Sequence, residues 1–224
     1  IFIHHDNLYL RNMAWGLKLI PYGSADELYI NGHVTGNSPY LTFEWKAGKD
    51  GEHHEVKTQL IGEYNFANAL AAVTIGHFFN VESEKIDAAL KEYTPQNNRS
   101  QLKQTADNTL IIDAYNANPT SMQASISNFH NMEVDNKMLI LGDMRELGKD
   151  GPEEHQKIAD FLTECGFKEV MLVGDQFAAA KHNFPTYPDA SAVIEALQKN
   201  KPHGKTILIK GSNGIKLSTV IDYL

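Results

Sequence analysis

Residues 17–60 carry their apolar positions in short runs, among them Leu28-Tyr29-Ile30 and Leu41-Thr42-Phe43, punctuated by Gly23, Gly32, Gly36, Pro39 and Gly48. Such a pattern predicts short strands joined by tight turns. Residues 56–60 alternate apolar with polar, as a half-buried strand does, and the expected product is a small antiparallel sheet. After Gly62 the period changes. Phe66, Leu70, Val73, Ile75 and Phe78 fall near helical spacings with Ala69, Ala71 and Ala72 between them, which predicts a buried helix over 65–79. Ser83 ahead of Glu84 and the Ile86, Ala89, Leu90, Tyr93 series predicts a second, amphipathic helix with Ser83 as its cap, ended by Pro95 and Gln96-Asn97-Asn98.

Beyond Arg99 apolar runs and amphipathic stretches alternate: strands over 110–113, 138–141, 170–173 and 207–210, with helices from Thr120, from Pro152, over 191–198 and from the last strand to Leu224. This alternation predicts an α/β fold, a Rossmann-like parallel sheet with helices on both faces, separated from the preceding part by a boundary near 93–98. In such sheets ligands gather at the carboxyl ends of the strands, here residues 113–119, 142–148, 174–175 and 211–214.

The 224 residues are 42% hydrophobic and 21% charged, ordinary for a globular chain. Twenty Lys and Arg against 28 Asp and Glu give a net charge of −8, the wrong sign for a nucleic-acid binder. Cys165 is the only cysteine, so no internal disulfide forms and the cytosol is the expected compartment. Polar side chains interrupt the charge-free stretch 65–81, which therefore does not read as a membrane span. The chain opens on Ile-Phe-Ile-His-His-Asp without an initiator Met, and is expected to be a piece of something longer.

Chemistry concentrates at the strand ends. Asp113-Ala-Tyr-Asn-Ala-Asn-Pro-Thr-Ser121 leaves a strand and enters a helix, and a helix start with spare amides suits an anion or a sugar hydroxyl; the plain alternative is capping by Asn118 and Thr120 around Pro119. Gly142 and Gly148 frame Asp143, Arg145 and Glu146, either a loop held against a ligand or a surface turn with solvated charges. His155 is close enough in sequence to reach that loop, with a solvated helix histidine as its alternative. Lys210-Gly-Ser-Asn-Gly214 adds a glycine-rich strand end with one cation. Asn65 and Asn68, three apart on a predicted helix, share a face able to read a base edge, against a capping role. Neither G-x-x-x-x-G-K-[ST] nor G-x-G-x-x-G occurs. No H-E-x-x-H or Cys-His pattern occurs, and the pairs His4-His5 and His53-His54 point to opposite faces of a strand, so no metal site is expected. Cys165 lacks an identifiable activating base.

Taken together and in order, Gly62-Glu-Tyr-Asn-Phe-Ala-Asn-Ala-Leu-Ala-Ala72, Asn98-Arg99, Asp113-Ala-Tyr-Asn-Ala-Asn-Pro-Thr-Ser121, Leu141-Gly-Asp-Met-Arg-Glu-Leu-Gly148 and Lys210-Gly-Ser-Asn213 resemble the Mur ligase family. The resemblance implies that residues 1–93 are the second half of a central ATP-binding domain and 94–224 a complete C-terminal domain. It implies an ATP-dependent amide ligase of bacterial peptidoglycan precursor synthesis that adds D-alanyl-D-alanine to UDP-N-acetylmuramoyl-tripeptide through an acyl phosphate. The cofactors implied are ATP and Mg2+, the P-loop and magnesium ligands lying outside this chain, so the chain alone is expected to be inactive. Residue by residue, the resemblance implies that Asn65 and Asn68 face the adenine, Arg99 is catalytic on the terminal phosphate and Asp113 bonds the ribose. Tyr115, Asn116 and Asn118 then border the nucleophile, and Asp143, Glu146, His155, Lys210, Ser212 and Asn213 are further substrate-binding candidates. The protein is expected to be a cytoplasmic monomer that binds neither nucleic acid nor membrane. Other members of the class, such as diaminopimelate-adding or folylpolyglutamate ligases, and a non-catalytic nucleotide-binding module stand as alternatives.

Overall fold

The computed structural model describes residues 1–96 and 98–224; Asn97, placed by the sequence reading in the segment ending the second helix, lies outside the described residues. The chain forms two compact units, Ile1–Thr94 and Pro95–Leu224.

In the first unit the order is β1 Phe2–His4, α1 Leu8–Met13, β2 Ile20–Gly23, β3 Ile30–Asn37, β4 Tyr40–Ala47, β5 His54–Ile61, a 3-10 turn Glu63–Asn65, α2 Phe66–Phe78 and α3 Ser83–Glu92. β3, β4 and β5 form the antiparallel meander that the alternating pattern predicts, while β1 and β2 extend it in parallel, giving the order β1-β2-β3-β4-β5. Three- and four-residue strands are too short to show a period of two, and the pattern reading passes over both. Along β4, Leu41, Phe43 and Trp45 are buried at every second position against Leu70 and Val73 of α2 and Ile86 of α3. Ser83 is not the cap of α3: the carbonyl of Glu82 accepts the first helical bonds, from Lys85 and Ile86, so Glu82 holds that position without a side-chain bond.

Buried under α3, the Trp45 indole N–H donates to Asp87 Oδ1 at 2.8 Å and His54 Nδ1 bonds Oδ2 at 3.0 Å, with the two rings stacked. His77 of α2 lies edge-on to Trp45 and its Nδ1 is 3.4 Å from the Tyr29 hydroxyl.

The second unit runs β6 Gln101–Gln104, β7 Thr109–Asp113, α4 Pro119–Asn131, β8 Lys137–Gly142, α5 Gly151–Glu164, β9 Glu169–Val173, α6 Asp175–Ala179, β10 Thr186–Tyr187, α7 Ala190–Lys199 and β11 Thr206–Lys210. The sheet order is β10-β9-β8-β11-β7-β6; every pairing is parallel except β6 on β7, an antiparallel edge strand. Both faces of the sheet are apolar, as a covered parallel sheet requires. Leu110, Ile112, Ile140, Val173 and Ile209 pack with Val193 and Leu197 of α7 and with Leu217 and Val220. The intervening strand residues Ile111, Leu139, Leu141, Leu172 and Leu208 are buried as well. Their face matches the buried Met122, Ile126 and Phe129 of α4 and Ile158, Ala159 and Leu162 of α5. The chain ends in the 3-10 segment Leu217–Tyr223 where an α-helix was expected. Among the described residues no helix is long and apolar enough to cross a membrane.

Burial, and after it the charge of His54, holds the His77 imidazole below its ordinary range. As the pH falls through about 6.5 the unfolded chain therefore takes up this proton before the folded one does. The first unit should lose stability over that interval, levelling off once folded His77 also titrates. Both tryptophans, Trp15 and Trp45, lie in this unit, so urea midpoints followed by tryptophan fluorescence at pH 7.5 and 5.5 measure the loss. His77→Phe should reduce it, and an unchanged pH slope in that variant would contradict the assignment.

Candidate functional site: carboxyl ends of the central strands

β7 and β11 are parallel neighbours in a register that sets Asp113 opposite Lys210. Both side chains point to the face covered by α4, since their neighbours Ile112 and Ile209 face α7. Lys210 is 1% exposed, and an ammonium so enclosed must be paired. Its Nζ donates to Asp113 Oδ2 at 2.5 Å and makes a longer contact, 3.4 Å, to the Asn116 carbonyl. Ser125 of α4 donates its hydroxyl to the same Oδ2 at 3.1 Å. Asp113 Oδ1 receives the Ser100 N–H at 3.4 Å, a contact long enough to leave it acceptor capacity. The side chain of Asp113 is 15% exposed, so a ligand hydroxyl has access to it.

Ser100 and Ser125 are the partners that sequence reading missed. Ser125 had a signal, since it lies on the apolar stripe of α4 between Met122 and Phe129; Ser100 had none, because it bonds through its backbone.

Arg99 stands beside this pair, exposed, with Cζ 3.7 Å above the centre of the Tyr115 ring. Among the described residues no carboxylate pairs with it. Its neighbours Asn98 and Ser100 have φ of 58° and 46°, the left-handed region that non-glycine residues enter under constraint. Tyr115 and Asn116 are exposed, and Asn116 Oδ1 accepts the Ala117 N–H at 2.9 Å. Asn118 is the cap of α4: its Oδ1 accepts from Ser121 N at 2.8 Å, Ser121 Oγ accepts from Asn118 N at 3.1 Å, and Pro119 opens the helix. Thr120 follows inside the first turn rather than capping it.

The next strand end uses its acid differently. Asp143, at the end of β8 and 6% exposed, accepts the Gln176 and Phe177 N–H groups at 3.0 Å each and so caps α6 after β9. Gly174 makes the approach possible: at φ 119° it faces the carboxylate, and a Cβ there would lie 2.3 Å from Asp143 Cγ. The reading of Asp143 as a solvated turn charge is thus overturned, whereas Glu146 is exposed, at φ 75°.

His155 is likewise not solvated but fully buried. Its Nε2 accepts the Met144 N–H at 3.0 Å, which leaves Nδ1 to donate to the Gly151 carbonyl at 2.7 Å. His155 shares the inward face of α5 with Ile158, Ala159 and Leu162, and that spacing was the available signal. Ser212 Oγ accepts the Arg145 N–H at 2.8 Å and Ser212 N–H donates to the Asp143 carbonyl, while Asn213 is exposed. Burial, then the charge of Glu164, pushes the Cys165 thiol up, the reverse of an activated thiolate.

In the first unit Asn65 and Asn68 do meet: Asn68 Nδ2 donates to Asn65 Oδ1 at 3.3 Å and Asn65 Nδ2 to the Ile61 carbonyl at 2.8 Å. Asn65 precedes α2 without capping it through its side chain.

Residues 98–213 match the family model described as Mur ligase, glutamate ligase domain. The UDP-N-acetylmuramoyl-tripeptide–D-alanyl-D-alanine ligase of Bacillus subtilis is 30% identical over 203 residues, covering 83% of this chain and 44% of that protein. The enzyme of the same name from Escherichia coli is 29% identical over 204 residues, covering 88% and 44%. A solved MurF ligase from Thermotoga maritima in complex with ADP superposes with a TM-score of 0.82 at 16% identity, covering 99% of this chain and 52% of that one. One from Acinetobacter baumannii gives 0.82 at 22%, covering 99% and 50%. These two show likeness of fold, and the chain spans about half the length of the proteins it matches.

Replacing Lys210 by Met removes one member of a buried pair and strands the other, which should cost the second unit about 3 kcal/mol. Adding Asp113→Leu should restore part of that loss. Urea unfolding followed by far-UV circular dichroism measures both; equal stability of Lys210→Met and the parent chain would show the pair to be incidental.

Proposed function

Given that the chain belongs to the Mur ligase family, we propose that it is part of an ATP-dependent amide ligase joining D-alanyl-D-alanine to UDP-N-acetylmuramoyl-tripeptide in bacterial peptidoglycan precursor synthesis. The names carried by its relatives from Bacillus subtilis and Escherichia coli support the substrates, and the ADP in the Thermotoga maritima structure supports the nucleotide. The observation that carries the reading is an exposed arginine without a carboxylate partner among the described residues, set beside a carboxylate oxygen with spare acceptor capacity at the carboxyl end of a parallel sheet.

The donor set fits a nucleotide. Asp113 Oδ1 fits a ribose hydroxyl, because a carboxylate is an acceptor and its other oxygen already holds Lys210 and Ser125. Arg99 fits the terminal phosphate, since a guanidinium matches a phosphate with two parallel N–H groups. Lys210 is a poor phosphate ligand here, enclosed and neutralised by Asp113; its role in this reading is to hold that carboxylate. Asn65 and Asn68 are assigned to the nucleotide base. ATP supplies the phosphoryl group that makes a peptide carboxylate electrophilic. Arg99 offsets the negative charge that accumulates on the phosphate oxygens. Asn116 borders the incoming amine and Tyr115 lies against Arg99, with Glu146 and Asn213 exposed on neighbouring loops, while Asn118, Asp143, His155 and Ser212 shape those loops through internal bonds. Mg2+ is assigned no ligand in this chain. The domain assignments are part of the same proposal: a portion of the ATP-binding domain in the first unit and the C-terminal domain in the second. The working protein is read as a cytoplasmic monomer.

The test is ATP-dependent phosphate release by the full-length parent with UDP-N-acetylmuramoyl-tripeptide. Release is expected with D-alanyl-D-alanine, and none with diaminopimelate or glutamate as the amine or from this 224-residue chain alone. Arg99→Ala in the parent should lower kcat by a factor of about 10³, as for other phosphate-stabilising arginines. Near-normal turnover in that variant would remove Arg99 from the chemistry, and failure of the parent to release phosphate with any amine would favour a non-catalytic module.

A further inference from the structure

We infer that Tyr115 is a positioning residue for Arg99: its ring is the surface on which the guanidinium rests with the N–H edge left free for an anion. The inference rests on the reading of Arg99 as the phosphate-contacting group. A guanidinium carbon 3.7 Å above a ring centre is at stacking distance. Stacking engages the face of the planar group, whereas its five N–H donors lie in the plane, so the contact consumes no hydrogen bond. An acidic partner would hold Arg99 equally well but would neutralise it and occupy those donors.

The surroundings of both residues support this role. Tyr115 is 46% exposed and is not part of the apolar cluster around α7, and its hydroxyl has no bond among the described residues. Yet the backbone carrying it is tightly held. Two residues earlier Asp113 is tied to Lys210, the next carbonyl, that of Asn116, receives the Lys210 ammonium, and the capping box of Asn118 and Ser121 follows. Arg99 is held from the other side, since Ser100 keeps its left-handed conformation with its N–H on Asp113 Oδ1. One carboxylate thereby ties down the loop that presents the ring and makes a longer contact, 3.4 Å, to the backbone from which the arginine extends. What remains free is the arginine side chain itself, and Tyr115 is the group that restricts it.

The experiment is a double-mutant cycle in the full-length parent, reading phosphate release with UDP-N-acetylmuramoyl-tripeptide and D-alanyl-D-alanine. Tyr115→Leu should lower kcat two- to fivefold, the range of an exposed cation–π contact, while KM for ATP moves less and Tm stays put because the ring is half-exposed. Tyr115→Phe, which keeps the ring, should restore parental turnover. In an Arg99→Ala background Tyr115→Leu should cause no further loss. An equal fall in both backgrounds would show that Tyr115 acts on substrate by itself and would overturn the inference, as would a Tyr115→Phe variant as slow as Tyr115→Leu. If Arg99→Ala alone leaves turnover near normal, the reading of Arg99 fails and the inference fails with it. A large Arg99→Ala loss with no effect of Tyr115→Leu fails the inference alone.

Discussion

The pairing of Lys210 with Asp113 is the constraint on which the strand-end site depends. Two central parallel strands end in register with opposite charges on one face of the sheet, where the helix above leaves the cation essentially no solvent. Burying an ammonium is costly unless a counter-charge and further hydrogen bonds meet it, so Asp113 has little freedom of rotamer. Through its two oxygens it then reaches elements distant in sequence: it fixes β11 through Lys210 and α4 through Ser125, and makes a longer contact to the Ser100 backbone at the entry to β6. Removing the charge from Asp113 would loosen all three attachments together, which is why this carboxylate is better described as a hub than as a single ligand.

One strand away, Asp143 faces the same problem of a carboxylate at a covered sheet end and solves it with backbone amides. Its oxygens take the first N–H groups of α6, where the helix dipole also favours negative charge, and the imidazole of His155 ties down the following residue, Met144. Each of its oxygens is already met at normal hydrogen-bond length, and Ser212 Oγ is engaged on the same loop by the Arg145 N–H. The contrast separates candidates that share a neighbourhood. Asp113 keeps one weakly bonded oxygen and partial exposure, whereas Asp143, His155 and Ser212 spend their polar atoms on holding the loops in shape.

Much of this was legible in the sequence. The alternation of apolar runs with amphipathic stretches gave the parallel sheet and its helices because covered parallel strands are apolar on both faces, a signal that survives without context. The motifs around Asp113, Gly142 and Lys210 fell at strand ends for the same reason. Strands β1, β2, β6 and β10 were illegible, being two to four residues long or, in β6, polar at an edge. The division of labour within the site was also illegible. Lys210 and Asp113 are 97 residues apart and Arg145 and Ser212 are 67 apart, so nothing local distinguishes a committed polar atom from a free one. His155 is the exception: its place on an apolar stripe is visible in the sequence, and that position overrides the general tendency of histidine toward surfaces.

Which cation serves an anionic ligand follows from the same accounting. The chain carries a net charge of −8, so a phosphate bound as proposed would meet an unfavourable field at long range and would need a local positive group whose charge is not already spent. Lys210 is the cation the sequence advertises, following a strand into a glycine-rich turn, but its ammonium is enclosed and its charge is cancelled at 2.5 Å by Asp113. Arg99 has no local pattern around it, an isolated basic residue in a polar linker that only the family resemblance singles out, and it is the one held by a ring rather than by an acid. Stacking leaves both its charge and its in-plane donors available. In the proposed function the two residues therefore divide the work: the buried cation holds the carboxylate in place, and the exposed one, next to a backbone that this carboxylate contacts, is the one left to meet the ligand.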